Sequence, residues 1–161
     1  MLTAAVIVAA IAAFFDLRSR RIPNWFTYTT LTLALLVAFL LGGEQRLILH
    51  AAGVGVAVPF LVLFYLGLFG GGDVKLMAAI GALAGPFYGM NIALTSLLVG
   101  GLCAAVILLW QGRLWSTLAY EASIKKGTDE DSDMAKDSFP FATAIAIATL
   151  GWFLYSLEIG V

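Results

Sequence analysis

Ten acidic side chains occur in the 161 residues, and position separates two of them from the rest. Glu44, Glu121, Asp129, Glu130, Asp131, Asp133, Asp137 and Glu158 fall in evident loops or near the C-terminal end, whereas Asp16 and Asp73 directly abut long apolar runs. An ionisable group at the edge of a membrane span is costly and tends to face a protein interior or a water-filled cavity, which makes each of the two a functional candidate. Two carboxyl groups that share a site cannot both ionise easily, so one holds a proton while the other acts as base on a water. That is the chemistry of hydrolysis without a covalent intermediate. Asp73 follows Gly70, Gly71 and Gly72, a run free of side chains that would block a partner's approach. Each acid also has a purely structural explanation. Gly-Gly-Asp before an apolar run is a helix N-cap signature, and Asp16 has Arg20 four residues on for a helix-surface ion pair. No nucleophile with its base competes: His50 belongs near the far end of the third apolar run as a satisfied interfacial histidine, and Cys103 lies inside the fifth.

The elements that must position these acids follow from composition. With 61% hydrophobic and 12% charged residues, the chain is about half as charged as an ordinary soluble domain. Its apolar residues fall in blocks near the ~20 residues that a membrane-crossing helix needs. These blocks predict an all-α polytopic membrane protein of about six spans, over 1–15, 25–41, 47–69, 74–90, 92–110 and 139–157, forming a single domain over 1–161. The first block lacks a preceding positive charge and is followed by Arg18, Arg20 and Arg21, so it reads as a retained span that continues about a turn past Phe15 rather than as a cleaved signal. Basic loops stay on the cytoplasmic side. Arg18, Arg20, Arg21, Lys75, Arg113, Lys125, Lys126 and Lys136 share one side of this arrangement, eight of the nine basic residues, and only Arg46 lies on the other. Both termini are then external, and Asp16 and Asp73, 57 residues apart in sequence, meet at one depth on the cytoplasmic side. Taken together, two membrane-edge acids at one depth favour a dyad.

Small residues at four-residue spacing, Ala5 with Ala9 and Ala13 and Gly81 with Gly85, predict close helix packing in lipid, and Pro59 predicts a kink in the third span. Segment 127–138, inside the 111–138 connection, is polar and acid-rich and reads as a flexible cytoplasmic loop. A net charge of −1 offers no basic patch for nucleic acid, and a single Cys excludes a disulfide or a thiolate metal cluster within the chain.

Gly70-Gly71-Gly72-Asp73 fits the Gly-x-Gly-Asp motif of intramembrane aspartyl proteases, and Asp73-Val74-Lys75-Leu76 resembles its continuation in bacterial prepilin peptidases, the type IV leader peptidases. Asp16-Leu17-Arg18-Ser19-Arg20-Arg21-Ile22-Pro23-Asn24 resembles the same family's first acidic string, and Phe139-Pro140-Phe141-Ala142 through Ala146 resembles the start of its last span. The resemblance implies that Asp16 and Asp73 are the catalytic pair of an endopeptidase that removes short basic leaders from prepilin or pseudopilin precursors at the cytoplasmic face of the bacterial inner membrane. It implies that Gly70 and Gly72 shape the active-site loop together with Lys75, and that Arg21, Pro23 and Asn24 are motif neighbours. Larger members carry a Cys-x-x-Cys domain and methylate the new N-terminus. This chain has a single Cys and no such insertion, which argues against zinc and against methyltransferase activity; no cofactor is expected, and its short form most resembles the peptidases of tight-adherence (Flp) pili. The expected partners are the precursor and the bilayer, with a homodimer left open. Two other classes fit some of the same residues, a small proton-coupled transporter using Asp16 and Asp73 as a relay and a non-catalytic pilus or secretion assembly protein. The relay lacks a charged group at mid-depth in spans 3 to 6.

Overall fold

A computed structural model describes residues 1–66, 69–110 and 141–159, and every regular element among them is helical. In chain order these are α1 (Leu2–Ser19), α2 (Asn24–Val54), a short 3-10 turn (Gly55–Ala57), α3 (Val58–Tyr65), α4 (Gly71–Trp110) and α5 (Phe141–Ile159). Four described helical stretches are long and apolar enough to cross a membrane: Leu2–Ser19, Asn24–Tyr65, Gly71–Val106 and Phe141–Glu158. The described residues are therefore all-helical, with several helices apolar enough to span a membrane. The 111–138 connection expected to be a flexible loop, with four of the basic residues and the Phe139-Pro140 pair, lies outside the described residues.

The six blocks separated by sequence differ from these four stretches because helix runs almost unbroken through two of the expected connections. The interruptions are single glycine sites. Gly42 (φ −156°, ψ 16°) and Gly43 (φ 64°, ψ −153°) leave helical geometry inside α2 at the expected connection, whereas in α4 the break is at Gly85 (φ 80°, ψ 173°), inside the span expected over 74–90 rather than after it. The φ values of Gly43 and Gly85 lie where a Cβ is strongly disfavoured, so glycine is what permits them. Both sites reverse the chain. Were α4 straight, Gly81 and Gly89 would stand about 12 Å apart; instead a Cβ on Gly89 would lie 3.2 Å from Gly81 Cα. In α2, Asn24 is hydrogen-bonded to Lys75 and His50 to Ala82. Those partners are about 10 Å apart along α4, whereas a straight helix from Asn24 to His50 would cover about 39 Å, so α2 folds back on itself.

The core uses small residues to bring backbones together. Ala5, Ala9 and Ala12 are fully buried on α1, which packs against α5 and α4. Gly53 of α2 and Gly81 of α4 oppose each other so closely that a Cβ on either would fall on the other's carbonyl oxygen. Gly81 thus does the close packing that its spacing predicts, while its sequence partner Gly85 makes the chain reversal. Pro59 does not sit inside a long helix. The preceding residues tighten into the 3-10 turn and Pro59 occupies the first turn of α3, where its missing N–H costs no helical hydrogen bond. His50 is buried, and its Nδ1–H donates to the Ala82 carbonyl at 2.6 Å, as expected of a satisfied histidine.

Candidate active site

α1 carries Asp16 on its last turn and ends one turn later. Arg20 adopts a left-handed conformation (φ 50°), and its N–H donates to the Asp16 carbonyl at 2.8 Å, closing the helix in an αL cap. Ser19 Oγ lies within hydrogen-bond distance of Phe15 O (2.8 Å) and Arg21 O (3.1 Å), and its one hydrogen, given to either or shared between them, tightens the exit. The chain then runs through Ile22 to Pro23, whose extended backbone (φ −61°, ψ 132°) starts α2 and whose carbonyl accepts the Phe26 N–H at 3.1 Å. The Arg21 side chain is exposed.

This short connection docks on the N-terminal end of α4. The Ile22 side chain lies over Gly72, 3.5 Å from where a Cβ would stand, and the Asn24 Oδ1 accepts a hydrogen bond from Lys75 Nζ at 2.8 Å. Lys75 Nζ also sits 5.4 Å from the Tyr28 ring centroid, within range of a cation–π contact. The residues after Asp16 and those around Asp73 therefore hold each other directly. Asp73 is in the first turn of α4; its N–H donates to Gly70 O at 3.1 Å, and a Cβ on Gly70 would be 3.3 Å from Asp73 Oδ2.

Asp16 and Asp73 are both half-buried, and they are near enough to interact electrostatically through space. The Arg20 charge acts on Asp16 from the same side. A third partner comes from the far end of the chain. The backbone N–H of Ala142, in the first turn of α5, donates to Asp16 Oδ2 at 3.2 Å, across 126 residues. A carboxylate there satisfies one of the donors that a helix start leaves without an internal partner. Sequence reading singled out the Phe141-Ala142 stretch only through its resemblance, because a backbone donor has no side-chain signature.

Every candidate read from sequence at this end of the molecule, Asp16, Arg21, Pro23, Asn24, Gly70, Gly72, Asp73 and Lys75, belongs to this junction of α1, the start of α2, the start of α4 and the start of α5. Ile22, Tyr28 and Ala142 join it as contacts. Among the described residues no three His, Cys, Asp or Glu side chains converge as a metal site would need. Two neighbouring carboxyl groups beside a glycine-rich turn can activate and protonate, and here the start of α5 holds the Asp16 carboxyl while Gly70 O fixes the Asp73 backbone. A family model described as the type IV leader peptidase family matches residues 3–120. No curated protein and no solved structure matches the chain.

Proposed function

The chain belongs to the type IV leader peptidase family, and from that premise we propose that it is an aspartyl endopeptidase that cleaves the leader of Flp-type prepilin precursors with a water activated by Asp16 and Asp73. The observation that carries this reading is the docking of the chain that follows Asp16 onto the start of α4, Ile22 on Gly72 and Asn24 on Lys75, which brings Asp16 and Asp73 to the one end of the molecule that bears Arg18, Arg20, Arg21 and Lys75. In the reaction one carboxylate takes a proton from water as the water oxygen attacks the scissile carbonyl carbon, and the protonated partner supplies its proton to the carbonyl oxygen, giving a gem-diol. On collapse the C–N bond breaks, the carboxyl that took the water proton passes it to the leaving nitrogen, and the other carboxylate takes back a proton from the gem-diol, which restores the dyad. The side-chain-free edge of Gly70 to Gly72 leaves room for the substrate backbone beside Asp73.

The same reading includes topology. α2 with α3 and also α4 are each too long for one crossing of a ~30 Å hydrocarbon core and reverse at Gly42–Gly43 and Gly85. Six crossings with both termini external then place the dyad on the cytoplasmic face of the inner membrane, with Arg46 on the other side. Reporter fusions after residue 43 or residue 86 are expected to report the periplasm, and fusions after residue 20 the cytoplasm; the opposite pattern overturns the orientation.

The direct test is cleavage in membranes: the protein co-produced with a Flp-type prepilin, scored by mobility and N-terminal sequencing. Removal of the leader only when the protein is present supports the proposal, and an intact leader under matched production rejects that substrate. The two glycines of the turn should separate in the same assay. Gly70→Ala sets a methyl against the Asp73 carboxyl, so it is expected to slow cleavage by about tenfold or more through misplacement of a reacting group. Gly72→Ala meets Ile22 at ordinary contact distance, so at rest it is sterically tolerated, and any loss of rate it causes must come from crowding the substrate.

One observation favours a second reading, that of a non-catalytic assembly protein. Asp16 accepts from the start of α5 as a purely structural capping carboxylate does. Asn can cap as well as Asp but cannot act as a base, so the carboxamide variants taken up in the Discussion separate the two.

A further inference from the structure

The turn before Asp73 and the helix start that binds Asp16 are tied to one aromatic contact packed against the core. Phe69 immediately precedes Gly70, the residue whose carbonyl accepts the Asp73 N–H, and Phe141 immediately precedes Ala142, the residue whose N–H reaches Asp16. The rings of Phe69 and Phe141 meet edge-to-face, centroids 4.4 Å apart at 89°. Phe60 of α3, fully buried, backs both, at 5.5 Å from Phe69 and 6.0 Å from Phe141. The Phe141 ring has a fitted seat: it lies on Gly100 of α4, where a Cβ would overlap the ring atoms. The two carboxyl groups belong to α1 and α4, which are joined once through Ile22 on Gly72 and Asn24 on Lys75 and a second time through the start of α5, which holds Asp16, and the turn preceding α4.

We propose that the Phe69–Phe141 contact, backed by Phe60 and seated on Gly100, sets the spacing of Asp16 and Asp73, making these four residues positioning residues for the dyad. The inference rests on the catalytic reading of the two acids. A ring that shifts takes its neighbouring backbone with it, and a reacting group misplaced by about 1 Å can lose about 100-fold in rate while substrate binding is unaffected.

The test uses the purified full chain in detergent with a Flp-type prepilin, kcat being counted per folded molecule. Phe141→Leu, Phe69→Leu and Gly100→Ala are each expected to lower kcat about 10- to 100-fold with KM within about twofold. Gly100→Ala and Phe141→Leu act through one contact, so the double variant is expected to be no slower than the slower single one, because leucine leaves room for the added methyl. Losses that multiply in the double variant, losses confined to KM, or fewer folded molecules at wild-type kcat would each overturn the proposal. Asp16→Asn and Asp73→Asn run alongside. If they are inactive while the aromatic and glycine variants retain wild-type kcat, the positioning role falls and the dyad stands; if they cleave normally, the catalytic reading falls and this inference falls with it.

Discussion

Asp16→Asn and Asp73→Asn are each expected to lower leader cleavage by at least ~10²–10⁴-fold while leaving the protein folded in the membrane. The size follows from the division of labour proposed for the pair. Hydrolysis without a covalent intermediate needs one group that accepts the proton of water and another that donates one, and a carboxamide does neither at neutral pH. Survival of the fold follows from the contacts. An Asn at position 16 keeps an oxygen that can accept the Ala142 N–H, the hydrogen bond that Asp16 makes at 3.2 Å. The Asp73 contact to Gly70 is made by its backbone N–H and is independent of the side chain. One of the two acids already holds a proton in the proposed dyad, so a carboxamide changes the charge of the site little, and both variants are expected to denature close to the parent. Thermal denaturation in detergent with the cleavage assay checks both halves: inactive and normally stable variants support catalysis, while variants that cleave normally assign the acids to helix capping.

Gly53→Ala and Gly81→Ala should produce the largest loss of stability. At this crossing of α2 and α4 a methyl on either glycine falls on the carbonyl oxygen of the other, and backbone atoms cannot rotate aside as a side-chain end can. The helices must move apart. Overpacking of this kind typically costs about 1–3 kcal/mol. The same movement strains the hydrogen bond from His50 Nδ1 to Ala82 O, adjacent to Gly81, and leaving that buried pair unmade adds about 1–3 kcal/mol. Gly101→Ala and Gly151→Ala are the matched controls, being exposed helical glycines with open space around the added methyl. Lower denaturation midpoints at 53 and 81 with unchanged or higher midpoints at 101 and 151 are expected. Equal behaviour of all four would show that the α2–α4 crossing is looser than its geometry.

Helical content, span-length apolar runs and the place of two acids at their edges were legible in the sequence because each is a local property. Apolar blocks of span length, carboxylates at their edges and basic residues gathered beside them need no knowledge of what folds against what. The continuation of α1 past Phe15 to Ser19 and the satisfied His50 were legible for the same reason. Tertiary structure decided where the glycines act. Gly81 and Gly85 share one spacing, yet the first meets Gly53 across a helix crossing and the second turns the chain, a difference set by the partner and not by the residue. It also decided what holds the site: the Ala142 N–H on Asp16, the Lys75–Asn24 hydrogen bond, Ile22 over Gly72 and the ring of Phe141 on Gly100. These contacts join residues distant in sequence through backbone donors and ring faces. Neither changes residue type or hydropathy at the position where it acts, so only the folded chain can bring them together.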